Sequence, residues 1–256
     1  MGEGKTRESN LELLRLICMA FVVAGHLIIH GIHIDKYSVN EVLSGNIAYI
    51  LIYSIFIIAV NCFVLISGYF SIKPSISGVT RLGLSVAFYG AAIYALFGFL
   101  GEATFDFKSI AKLFFPFSKS QYWFISAYFQ LYLISPLLNK ATESFGKHEF
   151  KIFIMLFSVI TFYLGYLHGG GINPNGYNVV NFMYLYVIAR YIRLHATEIQ
   201  QVGKRENVIA RRYYLLGFFT SSLVAASIAV LSLVIDKGWR FAFLYNSPFI
   251  IPKFNL

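Results

Sequence analysis

The chain alternates long apolar segments with short polar connections. The apolar segments lie at positions 11–30, 46–70, 80–100, 121–139, 152–168, 177–194 and 213–235, and a further one begins near 241. A helix needs about 20 mostly apolar residues to cross the hydrocarbon core of a bilayer. The short alternating segments of a membrane β-barrel are absent. The pattern therefore predicts an all-α, polytopic transmembrane helical bundle of about seven spans plus a partial eighth.

Composition supports this prediction and narrows the choice of partners. Hydrophobic residues make up 57% of the chain and charged residues only 13%, whereas soluble domains carry about 25% charged residues. The chain is thus predicted to lie in a lipid bilayer. The net charge of +9 does not indicate nucleic acid, because the basic residues cluster in every second connection, as membrane topology requires.

The distribution of Lys and Arg predicts the orientation. One set of alternating connections carries fourteen of these residues, and the other set carries six. The richer set includes one turn with Lys73 and Arg81 and one turn with Lys140, Lys147 and Lys151, and its remaining members are Lys5, Arg7, Arg15, Arg190, Arg193, Lys204, Arg205, Arg211 and Arg212. Cytoplasmic connections carry such an excess. The N-terminus is therefore predicted to be cytoplasmic.

An ionisable stripe runs along the first span. Arg15 and His26 are eleven residues apart, which is almost three helical turns and roughly 16 Å along the axis. Glu12 and His30 fall on the same face at helical spacings. Ionisable groups inside a membrane are costly, so the stripe is a hypothesis for a functional site.

Each member of the stripe has two interpretations. Arg15 either anchors the helix at the interface or, oriented by Glu12, binds an anionic phosphate or carboxylate with its planar guanidinium. His26 either bonds a neighbouring helix or exchanges a proton near neutral pH. His26 and His30 could chelate a metal ion, but no acidic or cysteine side chain stands at a matching depth, and no metal site is predicted.

Polar and aromatic residues in two other spans are candidates for substrate binding. In the second span these are Asn61 and Ser67, next to Gly68, which either allows close helix packing or opens the backbone near a ligand. In the fourth span, Tyr122 and Trp123 fit an interfacial aromatic belt or a platform that stacks on a sugar ring. Gln130 and Tyr132 lie deeper in that span and could donate hydrogen bonds to the same sugar.

Three segments together resemble the membrane acyltransferase-3 family of bacterial polysaccharide acyltransferases. Leu11–Arg15 with His26 is similar to the family's Arg-x10-His signature. Asn61–Tyr69 resembles its Phe-rich Ser-Gly-Tyr/Phe segment, and Tyr122–Pro136 resembles a span that starts with Trp-Phe and ends with Pro-Leu-Leu. The order and separation of the three segments carry the resemblance.

The resemblance implies an enzyme that transfers an acyl group, usually acetyl, from acetyl-coenzyme A to a hydroxyl. The acceptor would be a cell-surface glycan or its lipid-linked precursor. His26 would be catalytic, with Arg15 and Glu12 beside it on the donor side. Coenzyme binding would involve Arg15, Lys73 and Arg81. Acyl-coenzyme A would be a co-substrate, and no cofactor would be bound permanently.

The resemblance also implies a single integral-membrane acyltransferase domain over residues 1–256, as a multi-pass protein of the bacterial inner (plasma) membrane. Members of the family have further spans beyond the eighth, so the chain is expected to be C-terminally truncated. Glycan-assembly enzymes are possible partners. The alternative function is a glycan or lipid transporter or flippase without chemistry, although the chain lacks the repeated halves typical of transporters.

Overall fold

All regular secondary structure in the described part of the chain is helical. The computed structural model describes residues 9–33, 41, 44–45, 47–102, 123–161, 163, 178–195, 216–224, 226–227 and 230, and none of these lies in a strand. The helices are α1 (Ser9–His26), α2 (Ile47–Phe56), α3 (Ala59–Phe70), α4 (Ile76–Phe99), α5 (Trp123–Ser144), α6 (Lys147–Ser158) and α7 (Val179–His195). A π-helical turn, Leu27–Gly31, follows α1 directly. The predicted all-α class is confirmed.

Three segments are long and apolar enough to cross a membrane. They are Ser9–Gly31, Ile47–Phe70 and Ile76–Phe99, and they coincide with the first three predicted spans. Helices also occupy the positions of the next four predicted spans, but their described residues do not meet the same criteria of length and composition. The seven-span count and the cytoplasmic N-terminus stay predictions, and the partial eighth span lies outside the described residues.

The second span is interrupted. A turn at Ile57 and Ile58 separates α2 from α3. The backbone stays hydrogen-bonded through this turn, since Ile57 donates to the carbonyl of Tyr53 at 3.2 Å and Cys62 donates to that of Ile58 at 3.0 Å. These bonds pair the backbone groups across the turn, and unpaired groups would be costly in lipid.

Helix α3 packs more extensively against α7 than against any other described helix, and it also packs on α1. Gly68 permits the close contact with α7. A Cβ atom at this position would lie 2.7 Å from the carbonyl oxygen of Tyr186 and 2.9 Å from the Cβ of Ala189. The close-packing interpretation of Gly68 is confirmed. The surrounding core joins α3, α5, α6 and α7 through Val64, Leu131, Phe150, Phe182 and Tyr186.

Helix α5 continues through a proline. Pro136 has no N–H, so the carbonyl of Tyr132, four residues earlier, loses its usual helical donor. The hydroxyl of Ser135 donates to that carbonyl at 2.8 Å. This bond satisfies the group inside the buried core and allows the helix to run on to Ser144.

Two predicted turns are wrong in detail. Lys140 lies in α5, while Lys147 and Lys151 lie in α6, so only two residues connect these helices. Arg81 lies within α4, which begins at Ile76. Charged residues at the end of a span remain helical because their long side chains reach the interface. The predicted helix ends, which were set where the apolar residues stop, therefore lay too far inward.

Candidate active site

The predicted stripe lies on one unbroken helix, because α1 carries Glu12, Arg15 and His26. Nη1 of Arg15 donates to Oε1 of Glu12 at 2.7 Å. Both side chains are about two-fifths exposed (37% and 43%), so solvent screening leaves this ion pair little effect on stability. The ion pair orients Arg15, since it holds one edge of the guanidinium toward the first turn of α1.

Arg15 also reaches across to α3. The guanidinium carbon lies 5.5 Å from the centroid of the Phe70 ring, within the range of a cation–π interaction. Phe70 is the last residue of α3. Arg15, on α1, therefore also contacts α3. A side chain that only snorkels to the interface would not require this contact.

The imidazole of His26 is fixed by its own helix. Nδ1 lies 2.8 Å from the carbonyl oxygen of Val22. A carbonyl can only accept, so Nδ1 carries the proton and donates it. In the neutral ring Nε2 then holds a lone pair, and it has no hydrogen-bond partner among the described residues. The interpretation of His26 as a bridge to a neighbouring helix finds no support in this part of the chain.

His30 stands beside His26, as its spacing predicts. The two ring centroids are 5.6 Å apart. His30 lies in the π-helical turn that begins immediately after His26, and such turns are frequent at functional sites. Among the residues the structure describes, no three His, Cys, Asp or Glu side chains lie together as potential metal ligands.

A closed set of hydrogen bonds fixes the linker after α3, and the sequence did not reveal it. The backbone N–H of Ile72 donates to the hydroxyl of Tyr186 at 2.9 Å. That hydroxyl donates to Oδ1 of Asn139 at 2.6 Å, and Nδ2 of Asn139 donates to the carbonyl of Ile72 at 2.9 Å. The triangle ties the linker to α5 and α7 close to the Arg15 contact.

The two predicted coenzyme-binding residues of the third span differ in position. Lys73 is exposed in the fixed linker, three residues beyond Phe70. Arg81 is exposed on α4, which has no buried residue. No described contact joins Arg81 to Arg15. No described contact joins Lys73 to Arg15 either, and the role of both residues in coenzyme binding stays a prediction.

The second-span candidates face the middle of the bundle. The hydroxyl of Ser67 donates to the carbonyl of Phe63 at 2.8 Å and lies 3.2 Å from the hydroxyl of Tyr128 on α5. Because Ser67 has one proton, Tyr128 is the donor in that pair. Asn61 is half-buried on the same helix. Ser67 therefore links α3 to α5.

The fourth-span candidates are dispersed. The half-buried indole of Trp123 packs edge-on against Phe124 and Phe182, with centroids 6.1 and 6.2 Å away. Gln130 is exposed and bonds Ser126 of its own helix at 3.4 Å. Tyr122 lies outside the described residues. No described contact joins these side chains to His26, and their role in acceptor binding stays a prediction.

Tyr132 makes a contact between helices that the sequence did not predict, and its role in acceptor binding stays a prediction. Its hydroxyl accepts the backbone N–H of Ser75 at 2.8 Å. Ser75 caps α4 by accepting from the N–H of Gly78 at 3.1 Å. The hydroxyl of Tyr132 therefore fixes the start of α4 through Ser75.

The described residues form apolar helices, three of them long enough to cross a membrane, and the first of these carries Arg15 and His26. The chain belongs to the acyltransferase-3 family, because the profile of the acyltransferase domain matches residues 8–252. The protein is thus a membrane acyltransferase. Searches of the curated proteins and of the solved structures found no match.

Proposed function

We propose that the protein is an O-acyltransferase that moves an acetyl group from acetyl-coenzyme A to a hydroxyl of a cell-surface glycan or its lipid-linked precursor. The observation that carries the proposal is the Nδ1–Val22 bond of His26. It leaves the lone pair of Nε2 available, which is what a general base requires.

In the simplest mechanism, Nε2 of His26 takes the proton of the acceptor hydroxyl while the oxygen attacks the thioester carbonyl. The tetrahedral intermediate collapses, the carbon–sulfur bond breaks and the imidazolium returns its proton to the leaving thiolate. The products are the acetyl ester and coenzyme A. Val22 stabilises the transient imidazolium, because its carbonyl already accepts the Nδ1 proton.

A transient acyl-histidine uses the same lone pair. Nε2 would attack the thioester, release coenzyme A and pass the acetyl group to the acceptor hydroxyl in a second step. This route suits a donor and an acceptor that approach from opposite faces of the membrane. Release of coenzyme A without acceptor, in an amount equal to the enzyme, would distinguish it from direct transfer.

The two substrates are assigned to different ends of α1. The positive-inside rule supports a cytoplasmic position for the Arg15 end, where acyl-coenzyme A is available. Arg15, with Glu12 beside it, and Lys73 and Arg81 are the candidates for donor binding. Tyr122, Trp123, Gln130, Asn61 and Ser67 remain candidates for the acceptor. The assigned location is the bacterial inner (plasma) membrane, with glycan-assembly enzymes as partners.

The test is release of coenzyme A by purified protein given acetyl-coenzyme A and a glycan acceptor. His26→Ala should reduce turnover at least about 100-fold, the usual contribution of a general base. His30→Ala is the matched control, because it removes the adjacent imidazole and should retain most of the activity. Near wild-type turnover by His26→Ala would overturn the catalytic assignment. Movement of glycan across sealed vesicles without release of coenzyme A would indicate a transporter.

A further inference from the structure

Two arginines flank one pair of aromatic rings at the end of α3. The rings of Tyr69 and Phe70 are perpendicular, with centroids 5.5 Å apart. Arg15, from α1, lies over Phe70 at 5.5 Å, and Arg193, from the last turn of α7, lies over Tyr69 at 4.8 Å. Helices far apart in the chain therefore place one guanidinium group over each of two adjacent rings.

The two rings orient both cations. A guanidinium stacked on a ring presents its N–H groups at its edge, where they can reach a ligand. Nη1 of Arg193 additionally donates to the hydroxyl of Tyr69 at 2.9 Å. The carbonyl ends of α3 and α7 favour cations at this position. The Ile72–Asn139–Tyr186 triangle fixes the chain immediately beyond the aromatic pair.

Another arginine of α7, Arg190, has a structural role and serves as a comparison. The side chain of Arg190 is 5% exposed, and its Nη2 bonds Oε1 of Glu143 at 2.8 Å. Arg193, one turn later, is exposed. Arg190 thus joins α7 to α5. Arg15 and Arg193 differ from it in being more exposed, although Nη1 of Arg15 bonds Glu12 and Nη1 of Arg193 bonds Tyr69.

We propose that Arg15 and Arg193 form a two-armed anion site that binds the phosphate groups of the acyl donor. The inference rests on the proposed function and adds Arg193, Tyr69 and Phe70 to the donor side. Two guanidinium groups, each on its own ring of an aromatic pair, suit a ligand with two separate anionic groups. Coenzyme A has this chemistry, since its diphosphate and its 3′-phosphate are distinct charges, and each guanidinium can bind phosphate through two N–H groups.

The site should matter only for donors that carry phosphate. The test compares acetyl-coenzyme A with acetyl-pantetheine, which has the same thioester and no phosphate. Arg193→Gln should raise the KM for acetyl-coenzyme A about 10-fold, the loss expected for one charge-assisted contact. The KM for acetyl-pantetheine and both kcat values should stay unchanged. Arg193→Lys should fall between wild type and Arg193→Gln, because it keeps the charge and loses the planar fork.

Lys151→Gln is the matched control, because it removes an exposed positive charge from α6 outside this site and should change neither KM. Calorimetric titration of coenzyme A into each variant, without acceptor, gives affinity independently of turnover. An active Arg193→Gln protein with wild-type KM for acetyl-coenzyme A would overturn the inference. Equal losses with both donors would do the same, because they would indicate a structural role.

The same measurements separate this inference from the proposed function. If Arg193→Gln weakens coenzyme A binding and the wild-type protein transfers no acetyl group, the anion site stands and the transfer reaction is wrong. If the wild-type protein transfers acetyl and Arg193→Gln binds coenzyme A normally, the reaction stands and the anion site is wrong. Absence of both binding and transfer in the wild type overturns both.

Discussion

The two ends of the ionisable stripe on α1 are held in different ways. At the Arg15 end, contacts come from Glu12 and from Phe70, the last residue before the hydrogen-bonded linker. At the His26 end, the described hydrogen bond stays within α1. The Arg15 end is thus held by contacts within α1 and with α3, and the imidazole of His26 is set by its own backbone. Substitutions at the first end should alter stability and affinity, and those at the second should alter turnover alone.

The largest effect on stability should come from the helix contact beside the Arg15 end. Gly68→Ala places a methyl group against the backbone of Tyr186, and overpacking of this kind costs roughly 2–3 kcal/mol. We expect a lower Tm and a lower yield from membranes. Gly217→Ala is the control, because its new methyl group meets nothing within 4 Å. Equal Tm values for the two variants would mean that α3 and α7 do not pack this closely.

Tyr186→Phe tests the hydrogen-bonded triangle with little change in volume. It removes the acceptor of the Ile72 N–H and the donor to Asn139, and leaving buried groups unpaired costs about 2 kcal/mol. The Tm should fall, while Tyr89→Phe, at a tyrosine that is 66% exposed on α4, should leave it unchanged. His26→Ala should also keep the wild-type Tm. A drop with His26→Ala as large as that with Tyr186→Phe would remove the difference between the two ends.

Arg15→Lys keeps the positive charge and loses the planar fork and its stacking on Phe70. We expect the KM for acetyl-coenzyme A to rise about 10-fold, corresponding to one strong contact, with little change in kcat. Steady-state kinetics over a range of donor concentrations measures this. An unchanged donor KM would favour the interpretation of Arg15 as a membrane anchor.

Trp123 gives the smallest predicted effect and separates acceptor from donor. If the indole stacks on sugar, Trp123→Ala should raise the acceptor KM a few-fold and leave the donor KM unchanged. Trp123→Phe is the control for packing, because it keeps an aromatic ring against Phe182. The acceptor role fails if neither substitution changes the acceptor KM.

Sequence reasoning succeeded where the information is local. The helical period placed Arg15 and His26 on one helix, and a small residue in an apolar segment predicted the close approach at Gly68. The break at Ile57 and Ile58 could not be predicted, because neither residue disfavours a helix strongly. It depends on how α2 and α3 pack against their neighbours.

The contacts around the Arg15 end of α1 join residues that are far apart in the chain. They could not be predicted from the sequence for that reason. Ile72 and Tyr186 are 114 residues apart, and Tyr69 and Arg193 are 124 apart. One usable signal was present: Tyr132 and Asn139 are seven residues apart, so they share a face of α5, and both hold the linker. The sequence suggested Tyr132 as a hydrogen-bond donor to the acceptor sugar, because the residue that it contacts, Ser75, lies in a different part of the chain.

The π-helical turn Leu27–Gly31 has a consequence for the direction of His30. A π turn holds one residue more than an α turn, so this turn is equivalent to a single inserted residue directly after His26. Arg15 and His26 both precede it on the regular helix α1. The turn therefore shifts the direction of His30 relative to a continuous α-helix, while the spacing and relative direction of the arginine and His26 are those of the regular helix.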